Sequence, residues 1–250
     1  MIRLILVALV LFGFLILGIP VLLIEWVIGK FNQKWKDYSS LRLVQGAFKL
    51  IMFMTGVKLT VIGEEHVPKD RAVLYVGNHR SYFDVVMTYA RCPRLTGYVA
   101  KVEMLRYPLL RDWMKNLYCL FLDRDDIKAG LKTILKGIEY IKNGISICIF
   151  PEGTRNHHDE LLPFKEGSMK MAEKTGCPII PMAITNSAEI FENHIPFIRR
   201  CHVILEYGEP ILVSELSKRR KNSWALIPSR RFRPCWIKIR HCCNESDSVI

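Results

Sequence analysis

The hydrophobic pattern changes its period twice along the chain. Residues 4–24, LILVALVLFGFLILGIPVLLI, form an apolar run of 21 residues without a charge. At about 1.5 Å per residue, a helix of this length covers a hydrocarbon core of roughly 30 Å. A cleaved signal peptide has a shorter apolar region followed by a small-x-small cleavage site. Glu25-Trp26-Val27-Ile28 offers no such site. The run predicts an uncleaved membrane helix over residues 1–30, spanning or monotopic, with Pro20 as a candidate kink. Residues 41–54, LRLVQGAFKLIMFM, are apolar with polar interruptions. They make the segment 31–56 an amphipathic helix, lying in the membrane interface or packed as a core helix.

From residue 57 onward, short β-branched runs alternate with amphipathic stretches. Strands are expected at 57–62, 73–76, 96–100, 118–122, 146–150, 179–184 and 202–207. Helices fit at 83–91, 103–115, 127–142 and 166–174. Asp126 is placed to cap the third of these and Gly144 to stop it. This alternation predicts an α/β layered domain over residues 57–217. Its sheet would be mixed, largely parallel and of about seven strands, flanked by helices. No internal repeat is visible. From Lys218 the period is lost, and residues 218–250 read as an irregular basic tail, either membrane-contacting or outside the domain.

Charge narrows the choice of partners. The formal net charge is +12, and residues 218–250 supply +7 of it, with nine Lys/Arg against two Asp/Glu. More than half of the excess therefore sits in a segment without an aromatic-basic motif, which argues against nucleic-acid binding. Lys30, Lys34, Lys36, Arg42 and Lys49 follow the first apolar run, whereas only Arg3 precedes it. That bias keeps the main domain on the cytoplasmic side of the cell membrane. The eight cysteines show no CxxC pair and no zinc spacing. They read as small core residues in a reducing compartment.

Candidate chemistry falls at strand ends. His79 and Asp84 follow the strand at 73–76 in NHRSYFD. An imidazole is the natural general base near neutral pH. Five residues on an ideal helix correspond to about 140° of rotation, so the pair would not share a helical face. If His79 instead lies in the loop before the helix, the carboxylate can fold back and fix its tautomer. Taken alone, a His-x4-Asp is more often a loop histidine beside a capping Asp. No serine or cysteine sits in a recognised nucleophile elbow, so the base would act on a substrate hydroxyl. Pro151-Glu152-Gly153-Thr154-Arg155 follows the strand at 146–150. There Gly153 permits close backbone approach, and Arg155 offers a fork for phosphate. Lys101 and Arg124 also end strands, in VAKVE and FLDR. Surface ion pairs with Glu103, Asp123 or Asp125 are the plainer reading of each. If these strands are parallel, His79, Lys101, Arg124 and Arg155 gather at one sheet edge.

NHRSYFD, FLDR, FPEGTR and CPIIPMAI, in that order, resemble the four motif blocks of the glycerolipid acyltransferases. The likeness covers roughly residues 45–215 and is nearest to the bacterial 1-acylglycerol-3-phosphate acyltransferases. The resemblance implies that His79 deprotonates a glycerol hydroxyl and that Asp84 supports it. It further implies that Arg124, Glu152, Gly153, Thr154 and Arg155 bind the glycerol phosphate, with Lys101 near that pocket. No metal or cofactor is implied, and no acyl-enzyme; the co-substrate is an acyl-CoA or acyl carrier protein thioester. The partners implied are the phospholipid bilayer and lysophosphatidic acid, the product being phosphatidic acid. Another lysophospholipid or a lyso-aminolipid as acceptor remains an alternative. A non-catalytic membrane-anchored lipid-binding protein is the alternative of a different class.

Overall fold

In the computed structural model, residues 1–158 and 161–212 are described. The 218–250 tail lies outside the described residues. Two helices come first, α1 (Ile2–Phe31) and α2 (Gln33–Thr55). Asn32 separates them in an extended conformation, and its side chain accepts the Trp35 backbone N–H, capping α2. By length and composition, α1 is apolar enough to cross a membrane. The helix runs through Pro20.

Seven strands follow: β1 (Lys58–Ile62), β2 (Leu74–Gly77), β3 (Thr96–Lys101), β4 (Leu120–Leu122), β5 (Ser146–Ile149), β6 (Ile179–Thr185) and β7 (His202–Tyr207). The helices between them are α3 (Phe83–Tyr89), α4 (Leu110–Asn116), α5 (Ile127–Lys142) and α6 (Lys170–Thr175). The strands form one sheet of order β1-β7-β6-β2-β5-β3-β4. Pairing is parallel except between β6 and β7. The expected mixed, largely parallel sheet of seven strands is therefore present.

Three expected elements differ in detail, each for a local reason. The helix expected over 103–115 is interrupted at Pro108: a 3-10 turn, Val102–Arg106, precedes α4. Proline disfavours helical geometry in the residue before it. The strand expected from 118 begins at Leu120, because Tyr118 has a positive φ of 57°. The first turn of the 166–174 helix is 3-10. Asp126 does cap α5, its carboxylate accepting the Lys128 and Ala129 N–H groups.

Alternate residues of the central strands β2, β5 and β6 feed two cores. Tyr75, Tyr98, Cys148, Ile180 and Met182 face α2, α3 and α4. Leu74, Val76, Ile147, Ile149 and Ile179 face α5 and α6. Period-two burial on both faces is what a covered parallel sheet requires.

The first helix is part of the first of these layers. Leu4, Val7, Phe14 and Leu15 pack against its core. Phe14 lies 4.9 Å from the Trp113 ring of α4, between centroids. At Gly18 a side chain would stand 2.8 Å from the Trp113 indole nitrogen, so glycine permits this close approach. Further along, the buried Glu25 accepts hydrogen bonds from Ser39, Ser40 and Asn116. The opposite side of α1 is exposed and apolar, with Leu9, Phe12, Leu17 and Leu23 among its residues. In α2, Leu41, Val44 and Ile51 are buried while Leu50 and Phe53 are exposed.

Candidate active site

The carboxyl ends of β2, β5, β3 and β4 point the same way, and the loops after them carry the chemistry. Between β2 and α3 the chain is irregular, and this is why the pair five residues apart can meet. His79 Nδ1 lies 2.9 Å from Asp84 Oδ2. That same oxygen accepts the backbone N–H groups of Arg80 at 2.7 Å and Ser81 at 2.8 Å. Asp84 is fully buried, and among the described residues its Oδ1 has no hydrogen-bond partner. With a carboxylate accepting from Nδ1–H, the His79 lone pair is on Nε2. Nε2 has no hydrogen-bond partner among the described residues, and the side chain is 18% exposed. The ring stacks on Phe150 with centroids 4.3 Å apart and planes 12° from parallel.

Two further interactions hold the His79 loop. Asn78 exchanges side-chain hydrogen bonds with the backbone of Ile184, at 2.9 Å through its amide N–H and 2.8 Å through its oxygen. This ties the end of β2 to β6. The buried Glu152 accepts the His79 backbone N–H through Oε1 at 3.1 Å. Its Oε2 accepts from Asn156 Nδ2 at 2.8 Å and Leu162 N at 3.0 Å. In return the Asn156 N–H donates to the His79 carbonyl at 2.7 Å. The Glu152 carboxylate thus joins the two motif loops and is occupied by protein donors.

Gly153 has φ +75°, a conformation that excludes side chains without strain. A Cβ there would also meet Lys165 Cε at 3.0 Å. Thr154 is exposed. The Arg155 guanidinium lies over the Tyr82 ring, 3.7 Å from its centroid, and its Nη1 is 3.5 Å from Glu192 Oε1. Its Nε and Nη2 have no hydrogen-bond partner among the described residues. Lys101 and Arg124 are exposed at the same sheet edge, where Lys101 pairs in register with Leu122 of β4. Among the described residues neither forms an ion pair, so the surface pairs with Glu103, Asp123 or Asp125 are absent. No group of three His, Cys, Asp or Glu among the described residues is arranged to hold a metal ion.

His79, Asp84, Glu152 and Arg155 are brought together through the β2 and β5 loops. Lys101 and Arg124 share the edge without touching them. Phe150 and Glu192 adjoin these groups, and of the two only Glu192 lies outside the motif blocks. Phe150 opens the FPEGTR block, but its stacking on His79 is not readable from the motif. Glu192 lies 108 residues from Asp84 and reaches the site only through the pairing of β6 with β2.

A buried carboxylate orienting a largely buried imidazole, beside a guanidinium, is an arrangement on an α/β sheet that can take a proton from a bound hydroxyl. Residues 58–185 match the family described as Acyltransferase. The 1-acyl-sn-glycerol-3-phosphate acyltransferase of Borreliella burgdorferi is 32% identical over 188 residues, covering 74% of this chain and 74% of that protein. The enzyme of the same name from Saccharomyces cerevisiae is 30% identical over 226 residues, covering 89% of this chain and 73% of that one. The crystal structure of the 1-acyl-sn-glycerophosphate acyltransferase from Thermotoga maritima superposes with a TM-score of 0.82 over 95% of both chains. At 21% identity, that last likeness is one of fold. The chain belongs to the acyltransferase family.

Proposed function

We propose that the protein transfers an acyl chain from acyl-CoA or an acyl carrier protein to the 2-hydroxyl of 1-acylglycerol-3-phosphate, forming phosphatidic acid. The observation that carries this reading is the His79–Asp84 pair at 2.9 Å, with Nε2 left for a substrate proton. Nε2 takes the proton of the 2-hydroxyl as its oxygen attacks the thioester carbonyl. Asp84 stabilises the imidazolium that results. The tetrahedral intermediate then collapses, the carbon–sulfur bond breaks, and the imidazolium returns the proton to the departing thiolate. No acyl-enzyme is formed and no cofactor takes part. Arg155 binds the substrate phosphate through its free Nε/Nη2 edge. Gly153 lets the loop backbone close on the headgroup. Thr154, Lys101 and Arg124 add a hydroxyl and two cations along the same edge. The names of the relatives support the choice of acceptor.

The enzyme would work at the cytoplasmic face of the cell membrane, attached through α1 and α2. Because α1 packs against α4 from Phe14 to Glu25, lipid would meet its other side only. This favours a monotopic attachment over a free-standing span.

The test is product formation in membranes containing the protein, given lysophosphatidic acid and a labelled acyl thioester. Phosphatidic acid is expected, and His79→Ala should lower its rate by about 10² to 10⁴-fold. Equal product from both proteins would remove the mechanism. Product from another lysolipid but none from lysophosphatidic acid would change the acceptor.

A further inference from the structure

Glu192 follows β6, outside every motif block. Its carboxylate is 2% exposed, and its Oε1 accepts the Tyr82 backbone N–H at 2.8 Å. Among the described residues its Oε2 is buried without a hydrogen-bond partner. A buried carboxylate so poorly supplied with donors requires a cation. The cation present is Arg155, whose Nη1 stands 3.5 Å from Oε1. The same guanidinium lies 3.7 Å above the Tyr82 ring. Glu192 thus builds both sides of a seat for Arg155: it supplies the negative charge, and it fixes the backbone of the aromatic residue below. Among the described residues only Nη1 is engaged, so the Nε/Nη2 edge keeps its parallel donors for a planar or tetrahedral oxyanion.

We infer that Glu192 is a positioning residue for the acceptor phosphate, acting by holding Arg155 on Tyr82 with its Nε/Nη2 edge presented. The inference rests on the proposed role of Arg155 and deepens it. It links three neighbouring strands: β2 supplies the base and the aromatic floor, β5 the guanidinium, and β6 the carboxylate that orders it. A mobile arginine loses orientation and pays side-chain entropy on binding; a seated one has paid it in folding.

The experiment uses the full chain in phospholipid vesicles, comparing wild type, Arg155→Ala, Glu192→Gln and Glu192→Ala. Each is assayed with lysophosphatidic acid and with monoacylglycerol, which has the same hydroxyl and no phosphate. Glu192→Gln is expected to raise KM for lysophosphatidic acid about tenfold while KM for the acyl donor stays within twofold. The preference for the phosphorylated acceptor should fall by the same factor. Glu192→Ala should do at least as much, and Arg155→Ala combined with Glu192→Gln no more than Arg155→Ala alone. Equal losses on both acceptors would indicate a merely structural role and overturn the inference. So would an unchanged or lowered KM in Glu192→Gln when Arg155→Ala raises it. If Arg155→Ala itself leaves KM unchanged, the phosphate role of Arg155 fails first and takes the inference with it.

Discussion

The imidazole of His79 lies flat on the ring of Phe150, with 4.3 Å between centroids and 12° between planes. Asp84 fixes one edge of the imidazole; Phe150 fixes its plane. Replacing Phe150 with Leu keeps the site apolar but removes the flat support. We expect kcat to fall roughly ten- to a hundredfold, the scale of a slightly misplaced reacting group. KM for the acceptor should change little. Steady-state kinetics on the variant checks this, and an unchanged kcat would show that Asp84 alone orients the ring.

Asp84→Asn should weaken the fold and damage the chemistry. Three donors converge on Oδ2, while Oδ1 has no hydrogen-bond partner among the described residues. An amide can therefore face its oxygen to the donors and put its NH₂ where Oδ1 was. What is lost is the negative charge that stabilises the imidazolium. We expect kcat to drop by about 10² to 10⁴-fold, with the melting temperature lowered because the buried NH₂ finds no acceptor among the described residues, at a cost of about 1 to 3 kcal/mol. Thermal unfolding and single-turnover rates, measured together, test both halves.

Glu152→Gln separates two roles for one residue. The carboxylate takes N–H groups from His79, Asn156 and Leu162. A glutamine oxygen serves only one side of that set, and its NH₂ confronts donors on the other. A buried donor left unpaired costs about 1 to 3 kcal/mol. The variant should therefore unfold at lower temperature and turn over more slowly, with acceptor KM nearly constant. A rise in KM alone, at wild-type stability, would place Glu152 against the substrate instead.

Much of the architecture was legible because it rests on local patterns. Six of the seven strands follow from runs with β-branched residues and β4 from the apolar run 118–122, and Asp126 announces α5. The His79–Asp84 contact was harder to read. Helical spacing argues against it, and only the irregular course from Asn78 to Tyr82 brings the groups together. Glu192 was out of reach altogether. Its place beside Arg155 depends on the order of β6, β2 and β5, and no window of sequence encodes that order. The break at Pro108 is written in the sequence, since proline disfavours helical geometry in the residue before it.

The buried thiols give a pH prediction. Burial pushes Cys92 and Cys119 up to about 11 from an ordinary value of 9.0. In the unfolded chain these thiols ionise first, so between pH 9 and 11 the folded state binds more protons. Stability should be full below pH 9 and decline as pH rises through that window, by on the order of 2 kcal/mol per thiol. Alkylation at pH 8 should likewise spare the buried Cys92 until the protein is unfolded. Denaturant titrations across pH 8 to 11, with peptide mapping of the modified cysteines, measure the two effects.

Gly18→Leu probes the contact between α1 and α4. The new side chain would collide with Trp113, and overpacking of this kind costs about 1 to 3 kcal/mol. We expect faster thermal inactivation in detergent while the protein still partitions into membranes. Unaltered inactivation would mean that α1 can shift away from α4 at no cost.

The contacts of Phe14 and Gly18 with Trp113, and of Glu25 with Asn116, make α1 and the layer it packs on a single structural unit. Anchors of many membrane enzymes behave as modules that can be exchanged for one another. Here a borrowed helix would bring no glycine to meet the indole and no acid to meet the amide. A chimera that takes α1 from a distant relative should need matching changes in α4, and a version trimmed to the sheet and its helices would open an apolar wound along α4.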